Sequence, residues 1–534
     1  MAAQTHAGAP ARGRAVALGV VLGVLFLTFL DTTIVSVTLG DLESDISAGI
    51  IPLQWVINAY ALTFASLMLV GGSLADRYGR KWLMLGGIVV FCVGSVIAAL
   101  ADDAGTVIAG RAIMGVGAAA SEPGTLSIIR QLYPQRGERA RALGGWSAVS
   151  GLALALGPVI GGLLIGADGW RAVFWFNLAA GALLGLLVWR FVPNSADPQT
   201  GRPDLAGFVL GTAAIGCAVY AAITGEYHGY ATWWIVLLFV LAGLFAIAFA
   251  AVERRVAAPM LDLAVIRKPV IGSSLLSAFA VYFAVFALFF LTALYLNLGL
   301  GYSGTKIAAM FAPMAVTVVG GGLLAGAWVA RVGGRVPCTV GCALGAAGLA
   351  IAWAVVRAGA DGGGAPTVSF APLTLALAVA GLGFGITVVP LTSTVLSNVP
   401  ARLSGMGASA TNTARQLGAV VGVAALGAIA NAHLVHGVDK IYSTPLGPAI
   451  AKAGLPKGSL LTQLETGGSG GFTITKYRTG FFAQVLEPFL TEFAKGLQVA
   501  LIVALILMVI AGVVAALVPD PEAAADELGE PVTS

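Results

Sequence analysis

The chain has 534 residues, of which 58% are hydrophobic and only 10% are charged, whereas soluble domains carry about 25% charged residues. A soluble protein this apolar would lack the polar surface needed to face water, so most of the chain must face lipid. The net charge of +4 is too small to indicate a nucleic-acid partner.

Fourteen apolar segments are long enough to cross a bilayer, which takes about 20 residues. The first follows Arg12 and Arg14 and is too long for the core of a signal peptide, so it is interpreted as a retained membrane helix. The chain is therefore predicted to be an all-α polytopic membrane protein. The predicted spans are 15–40, 52–73, 82–101, 105–129, 139–165, 171–192, 206–225, 232–251, 270–297, 306–330, 336–358, 368–395, 404–433 and 496–518.

The loops between the spans differ in charge. Lys and Arg concentrate in alternate short loops, such as 77–81 and 136–141, whereas the intervening loops lean acidic, as at 41–45 and 102–103. By the positive-inside rule the basic loops face the cytoplasm. This predicts a multi-pass protein of the inner or plasma membrane with both termini cytoplasmic.

One predicted extracellular loop, 437–495, is long and contains the low-complexity stretch GGSGG. Its last part is predicted either to form a short helix lying in the membrane interface or to be a packed extracellular loop. The apolar residues that would share one face of such a helix are Phe481, Phe482, Val485, Phe489 and Phe493. The tail after Pro519 is acidic and is predicted to be disordered.

The loop between the second and third spans reads GSLADRYGRKWLM at 72–84. Gly72 and Gly79 permit a tight turn between closely packed helices. An ordinary positive-inside loop would explain the basic residues but not these glycines and Asp76 at this spacing. The loop is therefore predicted to form a breakable charge network, a cytoplasmic gate, between Asp76 and the basic residues Arg77, Arg80 and Lys81.

This segment resembles the signature loop of the major facilitator superfamily, GxLaDrxGrkxxl, at nearly every position. A degenerate copy, GAWVARVGGR, follows at 326–335, with Ala330 in place of the acidic residue. The two copies lie 254 positions apart, at corresponding loops of two halves. Internal duplication of this kind is how such transporters are built.

Three further segments are similar to motifs of the fourteen-helix drug:proton antiporter branch of that superfamily. The first span reads LDTTIVSVTLG, similar to LDxTivnvALP, and the fourth reads RAIMGVGAAASEP, similar to RxxqGxgaA. The fifth span ends in GPVIGG, similar to the antiporter motif, although one glycine pair there also fits a simple packing face. The matching positions of this motif are Gly144, Gly157, Pro158, Gly161 and Gly162.

The resemblance implies a major facilitator fold with two six-helix bundles and two extra helices inserted between them. It also implies rocker-switch alternating access and proton-driven export of drugs, antibiotics or hydrophobic metabolites. The predicted divisions are a cytoplasmic tail at 1–14, a first bundle at 15–193, a linker with two helices at 194–256, a second bundle at 257–518 and an acidic cytoplasmic tail at 519–534.

Charged residues inside membrane helices cost roughly 2.5–3.5 kcal/mol each on insertion scales and are candidates for function. Arg111 and Glu122 share one face of the fourth span with Gly115 and Ala118, so this face is interpreted as a cavity wall. The four charged residues that lie clearly inside predicted spans, away from the span ends, are Asp31, Arg111, Glu122 and Arg415.

Asp31 and Arg111 are predicted to lie at similar depths, roughly 13 and 9 Å from the outer ends of their spans at 1.5 Å per residue, and so to pair. This makes Asp31 the first candidate for the proton-coupling group, with Glu122 as the second. The alternatives are that the Asp31–Arg111 pair is purely structural, that Arg111 extends to the outer surface, and that Glu122 pairs with arginines of the cytoplasmic loops.

The thirteenth span carries Asn412, Arg415 and Gln416 within one helical turn or so. These residues are interpreted as lining the second half of a cavity. Hydrogen bonding between neighbouring helices is the alternative, and the sequence does not separate the two.

Three classes of function compete: a proton-coupled exporter, a proton- or ion-coupled importer on the same fold, and an intramembrane enzyme or receptor. The antiporter-type motif favours export. The sequence contains no Walker phosphate loop and no HExxH motif, and its one GxSxG match is the low-complexity GGSGG of the long loop, not a nucleophile turn. Neither an enzyme nor a cofactor or metal is therefore expected. Small-molecule substrates, protons and the bilayer are the expected partners.

Overall fold

The computed structural model describes residues 11–46, 50–194, 204–256, 259–296, 300, 302, 304–361, 368–400, 403–443, 448 and 481–517. The regular elements in these ranges are helical, as predicted. They are α1 Ala11–Ile34, α2 Leu39–Ile46, α3 Ile50–Tyr78, α4 Arg80–Ala99, α5 Ala104–Leu132, α6 Arg136–Asp168, α7 Arg171–Phe191, α8 Leu205–His228, α9 Trp233–Glu253, α10 Leu263–Ile266, α11 Pro269–Leu294, α12 Gly304–Val332, α13 Arg335–Asp361, α14 Phe370–Asn398, α15 Ser404–Tyr442 and α16 Phe481–Leu517.

Within the described residues, thirteen helices are long and apolar enough to cross a membrane, and α6 makes a fourteenth if its two arms form one span. The arms of α6 differ in direction by 43°. In lipid a spanning segment must satisfy its backbone hydrogen bonds internally, and a helix does this. The prediction of an all-α protein with fourteen spans is confirmed.

The helices form two bundles, here called the N-half and the C-half. In the N-half α4 packs on α5 and α7, α3 packs on α5, and α1 packs on α6. In the C-half α14 packs on α12 and α13, α11 packs on α15, and α16 covers α13. The two halves meet along two main seams, α6 against α12 and α3 against α15.

Of the inserted helices, α8 lies beside the α3–α15 seam and α9 lies outside α8. Helix α8 packs on α3 of the N-half and α15 of the C-half, whereas α9 packs mainly on α8. The most apolar 18-residue stretch of α9 has a mean hydropathy of 3.0, and only 17% of that stretch is buried inside the protein. A helix this apolar and this exposed within the chain is suited to face lipid.

The ends of the helices define two faces of the molecule. At one, here called the basic end, Arg14 near the start of α1 pairs with Glu138 at 3.2 Å, and Arg335 donates to the backbone carbonyl of Ala516 near the end of α16. A Cβ on Gly137, next to Glu138, would lie 3.8 Å from the Cβ of Ala330, near Arg335, so the start of α1 and the end of α16 lie at the same face. The opposite face, the acidic end, carries Asp45 and Asp102, which pair with Arg171 at 2.5 and 3.7 Å.

Two helices differ from their predicted bounds. The first predicted span, 15–40, does not continue as one helix, because α1 ends at Ile34 and a short 3-10 turn at Val35–Val37 leads into α2. Asp31 therefore lies in the last turn of α1 and is nearer the helix end than predicted.

The last predicted span and the segment before it form one helix, α16. The part of α16 that is apolar enough to cross the membrane starts at Leu490. The segment 481–495 is helical and continuous with the last span, so it forms neither the separate interfacial helix nor the packed loop that were predicted as alternatives. Phe493 is fully buried and its ring lies 5.4 Å from the ring of Tyr295, so this side chain packs inside the C-half. Residues 444–447, 449–480 and 518–534, with most of the long loop and the acidic tail, lie outside the described residues.

Candidate functional site

Asp31 and Arg111 form an ion pair inside the N-half. Arg111 Nη1 lies 2.5 Å from Asp31 Oδ2, and both side chains are fully buried. Asn177 of α7 donates to the other carboxylate oxygen at 2.7 Å. Arg111 also donates from Nε to the carbonyl of Val56 at 2.9 Å and lies over the ring of Tyr60 at 4.4 Å.

This arrangement supplies the compensation that two buried charges require, namely a close partner and further hydrogen bonds. One donor stays unmatched among the described residues, since Arg111 Nη2 has no acceptor. The pair joins α1 to α5, and Asn177 and Tyr60 add α7 and α3. Neither of these two residues was predicted as a site residue. The signal in the sequence that could have identified Asn177 is a polar Asn inside an apolar span.

Glu122 lies on α5 eleven residues beyond Arg111 and is also buried. Its Oε2 accepts a hydrogen bond from Asn412 Nδ2 of α15 at 2.6 Å. Glu122 therefore contacts the C-half, and its hydrogen-bond donor is the neutral side-chain amide of Asn412. The α5 face between Arg111 and Glu122 is packed, since a Cβ on Gly115 would lie 2.1 Å from Thr63 Oγ1. The interpretation of this face as an open cavity wall does not hold in this conformation.

Arg415 extends the same group of polar side chains. Its Nη1 donates to Asn412 Oδ1 at 3.0 Å, and its Nη2 donates to Thr392 Oγ1 of α14. The guanidinium carbon lies 5.1 Å from the ring centre of Trp146 and 5.5 Å from that of Tyr282. We call Glu122, Asn412, Arg415 and Thr392 the central network. Among the described hydrogen bonds none joins Gln416 to it, and Gln416 is half-buried.

The antiporter motif lies where α1 meets α6. Pro158 has no N–H, so the carbonyl of Leu154 one turn earlier loses its helical donor. Thr33 Oγ1 donates to that carbonyl at 3.2 Å, and the bend between the arms of α6 falls at this point. A Cβ on Gly157 would lie 1.9 Å from Thr33 Oγ1. Thr33 and the motif therefore form one close helix contact.

The other glycines of the motif have different surroundings. Gly144 lies in the α6–α12 seam, where its Cβ would come within 2.9 Å of the carbonyl oxygen of Gly322. Gly161 is buried, whereas Gly162 is exposed and a Cβ there would meet nothing within 4 Å. Gly144 and Gly157 thus belong to two separate helix contacts, and Gly162 belongs to neither.

Asp76 joins the two halves at the basic end. Its Oδ1 accepts from Arg80 Nη2 at 2.7 Å and from the backbone N–H of Gly405 at 2.9 Å. Its Oδ2 accepts from the N–H of Met406 at 3.0 Å, while Arg80 also donates to Ser404 Oγ at 2.7 Å. The carboxylate thereby caps the N-terminus of α15 from another helix, where a negative charge is favoured. We call these five residues the α3–α15 latch.

Glycines allow the close approach at the latch. A Cβ on Gly72 would lie 2.4 Å from both the carbonyl oxygen of Gly405 and the Cβ of Ser409. Gly79 has a φ of 100°, and a Cβ there would lie 2.6 Å from Asn194 Oδ1. Substitution at either position requires a backbone or side-chain shift.

The remaining basic residues of this loop do not reach Asp76 in the described contacts. Arg77 lies over the ring of Tyr78 at 5.6 Å. Lys81 Nζ donates to the carbonyl of Trp189 at 2.6 Å, near the end of α7, where a cation is favoured by the helix dipole. Of the three basic residues predicted to form the charge network, the structure places only Arg80 against the carboxylate.

The second copy of the loop has the same turn. Gly333 occupies the position equivalent to Gly79, and both residues have a positive φ, 79° and 100° respectively. The duplication inferred from the sequence therefore extends to the backbone conformation.

The chemistry of the second copy is different. Ala330 replaces Asp76 and Gly334 replaces Arg80. A Cβ on Gly137, at the start of α6, would lie 3.8 Å from the Cβ of Ala330. The second copy thus approaches the start of α6 as the first approaches the start of α15, but without charge.

No group of three or more His, Cys, Asp or Glu side chains able to hold a metal ion occurs among the described residues.

Comparison with known proteins gives a consistent result. A family model described as Major Facilitator Superfamily matches residues 21–423. The chain is 36% identical over 416 residues to "Puromycin resistance protein pur8" of Streptomyces alboniger, covering 77% of this chain and 81% of that protein. It is 32% identical over 411 residues to "Multidrug resistance protein Stp" of Mycobacterium tuberculosis (strain CDC 1551 / Oshkosh), covering 77% and 74%.

Solved structures share the architecture. The human organic anion transporter MFSD10 (TETRAN) matches with a TM-score of 0.58 at 16% identity, covering 93% of this chain and 100% of that one. A bacterial homolog of the human lysosomal transporter Spinster matches with a TM-score of 0.55 at 19% identity, covering 98% and 100%. At these identities the matches concern the fold alone.

Proposed function

Because the chain belongs to the major facilitator superfamily, we propose that this multi-pass membrane protein is a proton-coupled antiporter. It exports drugs, antibiotics or hydrophobic metabolites across the cytoplasmic membrane. The basic end faces the cytoplasm, both termini are cytoplasmic, and the proton gradient supplies the energy without a bound cofactor.

Export of drugs is supported by the relatives. Proteins at least 32% identical over about three quarters of the chain are named for multidrug resistance and puromycin resistance. Two other relatives, each 32% identical, are named "Probable actinorhodin transporter" and "Methylenomycin A resistance protein". No observation on this chain favours import.

Alternating access is supported by the two seams. The α3–α15 latch and the glycine contact of Gly144 with α12 close the basic end. Opening a path to the cytoplasm requires these contacts to separate while the helices of each half stay packed. The interaction of Asp76 with the N-terminus of α15 is suited to this task, because a few hydrogen bonds form and break together.

The single observation that carries the proton coupling is the fully buried Asp31–Arg111 pair. Low dielectric surroundings favour a neutral carboxylic acid, whereas a neighbouring guanidinium favours the carboxylate. A shift of Arg111 away from Asp31 would therefore allow Asp31 to take up a proton. Exchange of a substrate for a proton requires a group whose charge depends on conformation in this way.

The test is transport of ethidium into inverted membrane vesicles under an imposed proton gradient. We expect gradient-driven uptake by the wild-type protein and its loss in Asp31→Asn, because the amide cannot exchange the proton. Counterflow of ethidium without a gradient should persist in this variant, since only the coupling is removed.

Two outcomes would change the assignment. Unaltered gradient-driven uptake in Asp31→Asn, at equal abundance in the membrane, would exclude Asp31 as the coupling group. Loss of coupling in Glu122→Gln instead would transfer that role to Glu122. If a gradient drives the uptake of none of a panel of cationic, anionic and amphoteric drugs in the wild type, the proposal of proton-coupled export is wrong.

A further inference from the structure

The two charges of the central network do not bond to each other. Glu122 of the N-half and Arg415 of the C-half share one neutral partner, Asn412, whose amide nitrogen donates to the carboxylate and whose oxygen accepts from the guanidinium. This differs from Asp31 and Arg111, which pair directly at 2.5 Å. Glu122, Asn412 and Arg415 are all buried, with no more than 3% exposed.

Glu122 and Arg415 are both buried, yet neither charge has an ionised partner within hydrogen-bond distance in the part of the chain that the structure describes. The described acceptors of Arg415 are all neutral: Asn412, Thr392 and, at 3.4 Å, the carbonyl of Val388. Its Nε has no acceptor among the described residues. Asn412 is neutral, so its hydrogen bonds to the two ions are charge-assisted but lack the attraction between opposite full charges, which is strong in surroundings of low dielectric constant. A ligand with full charges would therefore bind both groups better than the Asn412 amide does.

Aromatic rings from both halves flank the guanidinium. Trp146 comes from α6 and Tyr282 from α11, at 5.1 and 5.5 Å from the guanidinium carbon. Trp146 is held by a hydrogen bond from Nε1 to Thr125 Oγ1 at 3.1 Å and by an edge contact with Phe29 at 6.1 Å. Faces fixed in this way can stack a planar ring beside a bound anion.

The geometry points to a binding site for amphoteric aromatic compounds, in which the cationic amine of the ligand binds Glu122 and its acidic group binds Arg415. Asn412 occupies the place of the ligand between the two charges while the site is closed. The site opens when the halves separate, because its residues come from both of them. This inference rests on the proposed function and names the substrate class of the exporter.

A cation without an acidic group satisfies Glu122 alone, and an anion without an amine satisfies Arg415 alone. Such ligands leave the other buried charge with only its neutral partners. The amphoteric compound makes one more charge-assisted interaction than either analogue. It should therefore bind about tenfold more tightly than either single-charge analogue, a difference of about 1.4 kcal/mol in binding free energy.

Equilibrium binding to the detergent-purified full chain tests this with three quinolones. Norfloxacin carries an amine and a carboxylate, its methyl ester keeps only the amine, and nalidixic acid keeps only the carboxylate. Titration calorimetry at pH 7 should give the lowest Kd for norfloxacin. Arg415→Gln should remove the preference over the ester, and Glu122→Gln should remove the preference over nalidixic acid.

Controls separate recognition from folding. Arg357→Gln alters an arginine that also lies over a tryptophan, Trp353 at 5.2 Å, but near the far end of α13, and should leave all three Kd values unchanged. Arg415→Lys keeps the charge and should retain a preference for norfloxacin over the ester. If Arg415→Gln does not fold, this variant and Glu122→Gln still decide the question.

Equal Kd values for the three compounds, or an equal loss of affinity for all three in Arg415→Gln, would overturn the inference. Binding does not depend on proton coupling, so the result is independent of the ethidium transport test. Proton-driven ethidium uptake without charge preference among the quinolones would refute this inference and leave the proposed function intact.

Discussion

Asp76 lies inside an apolar contact between helices, but both of its carboxylate oxygens accept hydrogen bonds from protein groups. Its two oxygens accept from Arg80 and from two backbone N–H groups at the start of α15. Only 4% of the residue is exposed. Each of these bonds involves an ionised acceptor, so the carboxylate contributes to closure of the basic end through its charge as well as its shape.

Asp76→Asn should impair export while leaving the protein inserted and folded. The amide removes the charge that favours the N-terminus of α15 and the ion pair with Arg80. Loss of hydrogen bonds to a charged group costs about 1.5–3 kcal/mol, which corresponds to about a tenfold or larger shift of the equilibrium constant away from the closed state. Drug resistance of cells carrying the variant, compared at equal membrane abundance, measures this.

Arg77→Gln is the matched control, since it removes a charge from the same loop without a described contact to Asp76. It should export normally. Full activity of Asp76→Asn, or equal losses in both variants, would show that the latch does not act as described.

Asp45 at the acidic end gives a pH-dependent contact. Hydrogen bonds from Trp170 and Arg171 lower the pKa of this carboxyl below its ordinary value. A group with a lowered pKa in the folded state stabilises the protein above its unfolded pKa, near 3.9, and loses that contribution as the pH falls through the folded pKa.

Asp45→Asn should therefore lower the melting temperature at pH 7 by a small amount, because the pair is exposed. The difference from wild type should disappear at a pH below the folded pKa of Asp45. Thermal unfolding of the detergent-solubilised protein at both pH values tests this, and a difference independent of pH would contradict it.

At the scale of elements, the bend of α6 follows from its sequence and from a contact that the sequence does not show. Pro158 frees the carbonyl of Leu154, and Thr33 of α1 satisfies it. Gly157 has room for no side chain, because the Thr33 hydroxyl occupies the place of a Cβ. The first and fifth spans are thereby joined at the point where α6 changes direction.

Gly157→Leu should block the conformational change by filling this contact. Overpacking of a close helix contact costs about 1–3 kcal/mol, and the nearest backbone atom, the nitrogen of Ile34, would lie 3.0 Å from the new Cβ. Initial rates of drug transport in vesicles measure the effect. We expect a loss of at least about tenfold, since 1.4 kcal/mol corresponds to that factor.

Gly162→Leu is the control on the same helix, because Gly162 is exposed and its Cβ would meet no atom within 4 Å. It should transport at the wild-type rate. Normal transport by Gly157→Leu would show that the close α1–α6 contact is not required.

At the scale of the whole molecule, the two halves are related but not equivalent. The turn with a positive φ occurs in both copies of the loop, whereas the ion pair occurs only in the first. The α3–α15 seam is therefore closed by charge, and the corresponding contact between α12 and α6 is closed by Ala330 against Gly137. This asymmetry places the switchable contact on one of the two seams.

A disulfide between positions 137 and 330 should lock the halves together at the basic end. The distance of 3.8 Å between the Cβ positions equals the mean Cβ separation in disulfides, about 3.8 Å. In a chain whose four native cysteines are replaced, Gly137→Cys with Ala330→Cys should lose transport on oxidation and regain it on reduction. Each single cysteine variant should be insensitive to both treatments. Full transport by the cross-linked protein would exclude separation of the halves at this end.

The sequence by itself determined the number and approximate position of the spans, because a helix in lipid satisfies its own backbone and needs only a local run of apolar residues. It also located the loop turns and the candidate charges, since glycines, prolines and intramembrane charges are local signals. Similar depths in the spans also predicted the Asp31–Arg111 pair, which the structure contains. Only the tertiary structure showed that Glu122 meets Asn412 and that Asp76 meets the N-terminus of α15. Asp31 and Arg111 are 80 residues apart in the chain, Glu122 and Asn412 are 290 apart, and Asp76 and Gly405 are 329 apart. Helix rotation and packing set these contacts, and neither is a property of any one segment.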